Sequence, residues 1–234
     1  MNIIDIIILL IIGCFLVFSA QKGFLSSTLK LVSFFVSWLF SLLFYPLLSK
    51  GIAASSFYNT LSFYTEGVEK LADFEQSKLL VADLPQSTLH DIMSSANVSE
   101  PFNSLITKNI ENQALANQGL TTVGEYFNYT MVNVIVNIIS FIILFLIFIV
   151  LFNLIINALD HSLKFPVLKH YDNLIGGAVG IFRGIFFTFI PFALVPIILS
   201  LFPVAFLTDL LNSSAFGGLF YNSNFIVGCI SGVI

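Results

Sequence analysis

Charge is what this chain has least of. Only 9% of its 234 residues are Asp, Glu, Lys or Arg, against about 25% in an average soluble domain. That shortage excludes a well-solvated globule as the main architecture. The net charge of −4 offers no basic surface to nucleic acid. Two cysteines, Cys14 and Cys229, make neither a disulfide framework nor a metal spacing. The sequence has no HExxH, GxSxG or GxxxxGK[ST], which removes the zinc-peptidase, serine-hydrolase and phosphate-loop readings. His90, His161 and His170 are scattered, with no acid or cysteine placed to build a relay. The expectation is a protein that is not an enzyme and uses no cofactor or metal. No Lys or Arg precedes Lys22, whereas a secretory signal carries positive charge ahead of its apolar stretch. Residues 1–20 therefore read as an uncleaved membrane helix.

Hydrocarbon fills the space that charge leaves. Hydrophobic residues make up 57% of the chain, and the mean hydropathy is +0.97. A helix crossing the ~30 Å bilayer core needs about 20 mostly apolar residues. Four stretches answer: 3–20 with one charge, Asp5; 23–49 with Lys30; 126–159 with none; and 174–207 with Arg183 alone. Pro191, Pro196 and Pro203 are expected to kink or break the fourth. The spacing predicts an all-α membrane protein with four transmembrane helices and a helical extramembrane insertion between spans two and three. Spans one and two occupy 1–49, the insertion 50–125, spans three and four 126–207, and a tail 208–234 packs on the bundle or lies at the interface.

The insertion is acidic, with nine Asp or Glu against four Lys. Phe63, Gly67, Val68, Leu71 and Phe74 recur at helical spacing. Pro85 and Pro101 mark helix starts, and Gly119 and Gly124 helix ends. Lys22, Lys164 and Lys169 lie in the short loops. Positive loops stay on the cytoplasmic side, so the insertion and both termini are expected outside.

Small residues stand at fourfold spacing in the fourth span: Gly176, Gly180 and Gly184. Lipid tails are as apolar as leucine, so membrane helices associate by close backbone approach, which small residues permit. A partner helix is expected against this stripe. The second span offers Ser33, Ser37 and Ser41, on one face with Ser26 and Lys30. Asp172, Gly176, Gly180 and Arg183 share about 80° of helical arc. Arg183 thus sits on the packed side, where it either snorkels to the interface or bonds helix-end carbonyls, span-two serines, Asp160 or Asp172. Arg183, Asp172, Lys30 and Asp5 are the candidate intramembrane polar contacts. Asn133, Asn137 and Ser140 line one face of the third span; Asn153, Asn157 and Asp160 lie nearly opposite.

Three segments carry a resemblance to a known family. "MNIID" places an acid near position five at the head of an apolar helix. "QKGFLSSTLKLVSFFVSW" gives a basic-Gly-Phe turn into a helix, with Lys22 where arginine is common. "DNLIGGAVGIFRG" supplies Asp172, Gly176, Gly180, Arg183 and Gly184. Together they resemble the bacterial colicin V production protein family. The resemblance implies a four-span protein of the bacterial cytoplasmic membrane linked to peptide-toxin production or export, and to the envelope. It does not reach the 50–125 insertion.

Two functional classes remain. One is an accessory or assembly protein whose partners are the lipid bilayer, secretion or envelope proteins, or further copies of itself. The other is a small oligomeric channel or transporter using Arg183 and Lys30 in a polar intramembrane site. Neither involves nucleic acid.

Overall fold

The computed structural model describes residues 2–163, 171–202 and 205–234; for 160–163 and 205 it describes the backbone alone. Lys164, Lys169, His170 and Pro203, and the side chains of Asp160 and His161, lie outside that description. Helix α1 is Ile3–Lys22, α2 Phe24–Ala53, α3 Ser56–Tyr64, α4 Gln86–Ser95, α5 Phe102–Glu111 and α6 Val123–Leu163. They are followed by α7 Asp172–Leu201, α8 Ala205–Ser213, α9 Gly217–Asn222 and α10 Phe225–Gly228. Among the described residues the only β pairing is a single antiparallel bridge, Leu80 with Thr122. Four helices are long and apolar enough to cross a membrane: Ile3–Lys22, Phe24–Ala53, Val123–Leu159 and Asp172–Leu201. The chain is an all-α membrane protein.

Several local expectations change. Helix α7 runs unbroken through Pro191 and Pro196, as membrane helices do when neighbours satisfy the freed carbonyls. The helical spacing of residues 63–74 does not make one helix. Helix α3 stops at Tyr64, and the chain continues as 3-10 turns at Gly67–Lys70 and Phe74–Lys78. Gly67 meets the α6 backbone, where a β-carbon would lie 2.7 Å from the carbonyl carbon of Phe127. Gly124 ends no helix. It lies inside the first turn of α6, so close to Ser77 and Val68 that a β-carbon would stand 3.0 to 3.1 Å away. Gly119 does take the left-handed conformation (φ +79°) at the end of the turn Ala116–Gln118. Pro85 and Pro101 immediately precede α4 and α5.

The chain divides into two compact units. The first comprises Met1–Phe44, Phe141–Ala193 and Val204–Ile226. Its burial pattern is inverted relative to a water-soluble domain. In α1, Ile3, Leu10 and Phe18 are 58–66% exposed while Asp5 is 0% and Ser19 4% exposed. In α2, Ser33, Ser37 and Ser41 are buried while Leu39 and Leu43 face outward. Such a helix is stable only where the surroundings are apolar, and that is how a bilayer acts on it. Rings fill the interior. Phe186 meets Phe35 at 5.0 Å and Phe225 at 6.1 Å, and Phe189 meets Phe225 at 5.1 Å and Phe220 at 4.9 Å. Edge-to-face rings add directional attraction that aliphatic chains lack.

The second unit comprises Tyr45–Ser140, Leu194–Pro203 and Val227–Ile234. Its centre is the first half of α6, where every residue from Thr130 to Ile138 is buried. A stretch buried on all sides is wrapped on all sides, and its polar residues Thr130, Asn133 and Asn137 need bonded partners there. Leu89, Ile92 and Met93 of α4 and Phe102, Ile106 and Ile110 of α5 supply further core, each set on one face at helical spacing. Polar bonds pin the wrapping segments to α6. Tyr58 Oη donates to Asn133 Oδ1 at 2.9 Å, Val68 N to Asn128 Oδ1 at 2.9 Å, and Asn109 Nδ2 to Thr130 Oγ1 at 2.9 Å. Asn137 Nδ2 donates to Ser231 O at 2.8 Å. Burial, with Tyr129 close by, pushes the Tyr58 phenol up to about 12.

Candidate functional site

The glycine stripe has a partner, but it is α1 and not α2. A β-carbon on Gly176 would lie 2.8 Å from Ser19 O, one on Gly180 2.5 Å from Phe15 O, and one on Gly184 2.9 Å from Ile12 Cα. The partner positions run backwards along α1 as the glycines advance, so the two helices are antiparallel and touch backbone to backbone. The reason lies in α1 itself. Ser19 and Gly23 are small residues four apart, so each helix presents a shallow groove to the other. Gly177, one position off the stripe, is different: its β-carbon would meet Ala20 Cβ at 3.5 Å, an ordinary contact.

The expected α2 serines do something else. Ser37 Oγ donates to Ser33 O and Ser41 Oγ to Ser37 O, both at 2.6 Å. These bonds return to the same helix, satisfying hydroxyls in an apolar environment. Ser27 Oγ reaches across the hairpin to Ser19 O at 2.9 Å.

Two acids stitch the ends of α1. Asn2 caps the helix and forms a capping box with Asp5, satisfying amides that the first turn leaves unpaired. Asp5 Oδ2 accepts from Asn2 N at 2.8 Å, and Oδ1 accepts from Ser214 Oγ at 2.6 Å and Phe216 N at 3.1 Å. The carboxylate thereby fastens α1 to the corner between α8 and α9. At the other end, Gly23 (φ +79°) makes the turn into α2. Asp172 Oδ1 accepts from Phe24 N at 2.9 Å. A carboxylate at the first amide of α2 also meets the positive end of that helix's dipole. A β-carbon on Gly23 would collide with Asp172 Oδ2, so the basic-Gly-Phe turn needs its glycine twice over, for conformation and for room.

Arg183 takes none of the expected partners among described residues. Its guanidinium lies over the Phe15 ring, 5.0 Å from the centroid, and Nε has no hydrogen-bond partner among the described residues. Asp172 is committed to Phe24, and Asp160 lies outside the described side chains. Lys30 is half-buried in α2. Asn133, Asn137 and Ser140 fall in the second unit; Ser140 Oγ and Asn133 Nδ2 are buried without a partner among the described residues. Among those residues no three His, Cys, Asp or Glu side chains converge as a metal site would require.

Sequence reasoning missed Ser19, Ser214 and Asn224, whose Nδ2 donates to Phe189 O at 2.9 Å. The Ser19–Gly23 pair was there to find, since it repeats the fourfold spacing of α7.

A bundle of apolar helices closed by glycine contacts and acid-to-amide bonds defines a multi-span membrane protein with structural polar residues. A family model describes it more closely: that of the Colicin V production protein matches residues 4–71 and 113–233. The chain belongs to that family. The match includes Asp5, Asp172, the glycine stripe and Arg183; it also reaches into the insertion at 50–71 and 113–125, where no resemblance was expected, and leaves out 72–112, which holds all of α4 and α5. Comparison with curated proteins and with solved structures gives no match.

Proposed function

We propose that the chain is an accessory or assembly protein of the bacterial cytoplasmic membrane, serving peptide-toxin production or export, or envelope maintenance, through protein partners and without enzymatic activity. The observation that supports this reading is the second unit. Residues 54–122 are no loose spacer: they fold around half of α6 and are bonded to it at Asn128, Thr130 and Asn133. A folded body bonded to the first half of α6 suits presentation of a binding face. The acids of the bundle point the same way, since Asp5 and Asp172 are spent on helix ends. The insertion and both termini face outward in this reading, because the short-loop cations Lys22, Lys164 and Lys169 favour the cytoplasm.

The test is photo-crosslinking from an amber-encoded probe at exposed His90 on α4 in growing cells. A discrete adduct with an envelope or secretion protein is expected. Ion flux through vesicles containing this protein alone, with no adduct in cells, would instead favour a small oligomeric channel, the reading to which the half-buried Arg183 lends support. Orientation is read separately. In a chain with Cys14 and Cys229 replaced by Ser, Ser87→Cys should label with an impermeant thiol reagent in intact cells, and Phe165→Cys only after permeabilisation.

A further inference from the structure

Helix α3 follows a spanning helix almost at once and is built unlike the rest of the insertion. Its sequence, SFYNTLSFY, holds no charge, while the ten residues after Thr65 hold Glu66, Glu69, Asp73 and Glu75. One side of α3 is anchored inward: Leu61 is 9% exposed and Tyr58 bonds Asn133. The other side leaves Phe57 51%, Phe63 71% and Tyr64 69% exposed. At 100° per residue these three rings fall within about 120° of arc. Three large rings held outward on a short neutral helix would be a liability in water.

The position of α3 identifies what covers the rings. Lys50 is exposed in the last turn of α2. A lysine ending a spanning helix extends its ammonium to the interface and so marks the level at which hydrocarbon gives way to headgroups. From Lys50 the helix rises about 5 Å to Ala53 at 1.5 Å per residue. Three further residues reach at most about 10 Å to Ser56. Helix α3 therefore starts at most about 15 Å from that level. It is in fact closer, since the turn folds back on itself with Ala54 N donating to Lys50 O and Ser55 N to Ile52 O; the headgroup layer is about 5–8 Å thick on each side. One turn before Lys50 an apolar side chain still faces outward, Leu47 at 67% exposed. Phenyl and phenol rings on a neutral Ser/Thr/Asn background match the chemistry of the bilayer interface, where rings enter the acyl boundary and hydroxyls stay hydrated.

We propose that α3 is an interfacial anchor, lying on the lipid surface with Phe57, Phe63 and Tyr64 inserted at the headgroup–acyl boundary. The lipid surface is its partner. By holding α3 there while Tyr58 grips Asn133, the membrane would fix the height of the second unit's wrapped half of α6.

The test uses the full chain with Trp38→Phe, reconstituted in phosphatidylcholine vesicles, carrying one new tryptophan at a time: Phe63→Trp, Phe57→Trp, or Ser87→Trp on exposed α4 as reference. Phe63→Trp and Phe57→Trp should emit further to the blue than Ser87→Trp. Phosphatidylcholine brominated near the top of the acyl chain should quench them several-fold more strongly than the reference, and aqueous iodide several-fold less. Iodide quenching equal to that of Ser87→Trp, with no effect of brominated lipid, would overturn the proposal. So would protection from both quenchers, which would mean that a second copy of the chain covers the rings. Two aromatic sites are probed so that a folding failure at one leaves the other to decide.

Discussion

The two units of this protein solve the same problem with opposite materials. In the first, apolar side chains face out and polar atoms face in, and helices are brought together by removing side chains: Gly176, Gly180 and Gly184 against Ser19, Gly23, Phe15 and Ile12. In the second, α4 and α5 bury Leu, Ile, Met and Phe around the first half of α6, the ordinary hydrophobic solution. Helix α6 takes part in both. Residues 130–138 are buried throughout, whereas Ile147, Val150 and Leu154 are 55–61% exposed. The difference teaches what the solvent is. Where burial of leucine gives no advantage, close backbone contact and polar bonds decide the packing; where water is present, apolar area decides it.

The sharpest way to break this comparison is to refill the glycine groove. Gly180→Leu should abolish accumulation of the folded protein in membranes, and even Gly180→Ala should destabilise it by about 1–3 kcal/mol, the usual cost of overpacking. Gly177→Ala should be neutral or mildly stabilising, because its β-carbon finds room and alanine favours helix. Thermal unfolding in detergent, followed by circular dichroism, distinguishes the two substitutions. Equal tolerance would remove close approach as the organising contact.

Next in size are the acid stitches. Asp172→Ala leaves the Phe24 amide without its acceptor and should cost about 1–3 kcal/mol. Asp172→Asn keeps an acceptor at the same place and should recover at least half of that loss in the same melts.

The second unit should respond to different changes. Tyr58→Phe removes one part-buried bond to Asn133 and should cost about 1 kcal/mol. The pH dependence has a definite sign. The folded-state value of Tyr58 is raised to about 12, above the ~10 of an unfolded tyrosine. The folded state holds that proton more tightly, so the stabilisation is complete below pH ~10 and is lost as pH rises toward 12. Tyr58→Phe should flatten the fall over that window.

The smallest effect belongs to Arg183. Stacked on Phe15 at 5.0 Å, it contributes about 0.5–1 kcal/mol through its contact with the ring, more if fully desolvated. Arg183→Lys keeps the charge but loses the planar face. It should melt between wild type and Arg183→Gln, and the effect should vanish in a Phe15→Leu background.

Composition and periodicity were enough to read the four spans, the helical insertion and the closeness encoded by the glycine stripe. They misplaced the partner of that stripe. Fourfold spacing says that a helix is approached closely and not by which neighbour, and Ser33, Ser37 and Ser41 repeat the spacing that Ser19 and Gly23 use. The role of Asp172 was hidden for a related reason. Its partner is a backbone amide at Phe24, 148 residues away in sequence, and a backbone amide leaves no mark in a sequence. In the insertion, periodic Phe63–Phe74 suggested one helix because the short 3-10 turns keep a similar spacing, while Gly67 is set by its contact with Phe127.

The central claim is that α1 lies directly along α7. The most direct measurement is disulfide formation between Ala20→Cys and Gly177→Cys in a chain whose Cys14 and Cys229 are serine. The β-carbon positions are 3.5 Å apart, at the short end of the range that a disulfide spans. Mild oxidation in native membranes should close an intramolecular bond in most molecules, while Ser33→Cys with Gly184→Cys, which lie at about the same depth given the Phe35–Phe186 contact, should stay reduced. If the Ser33 pair closes and the Ala20 pair does not, the stripe packs on α2 and α1 does not lie along α7.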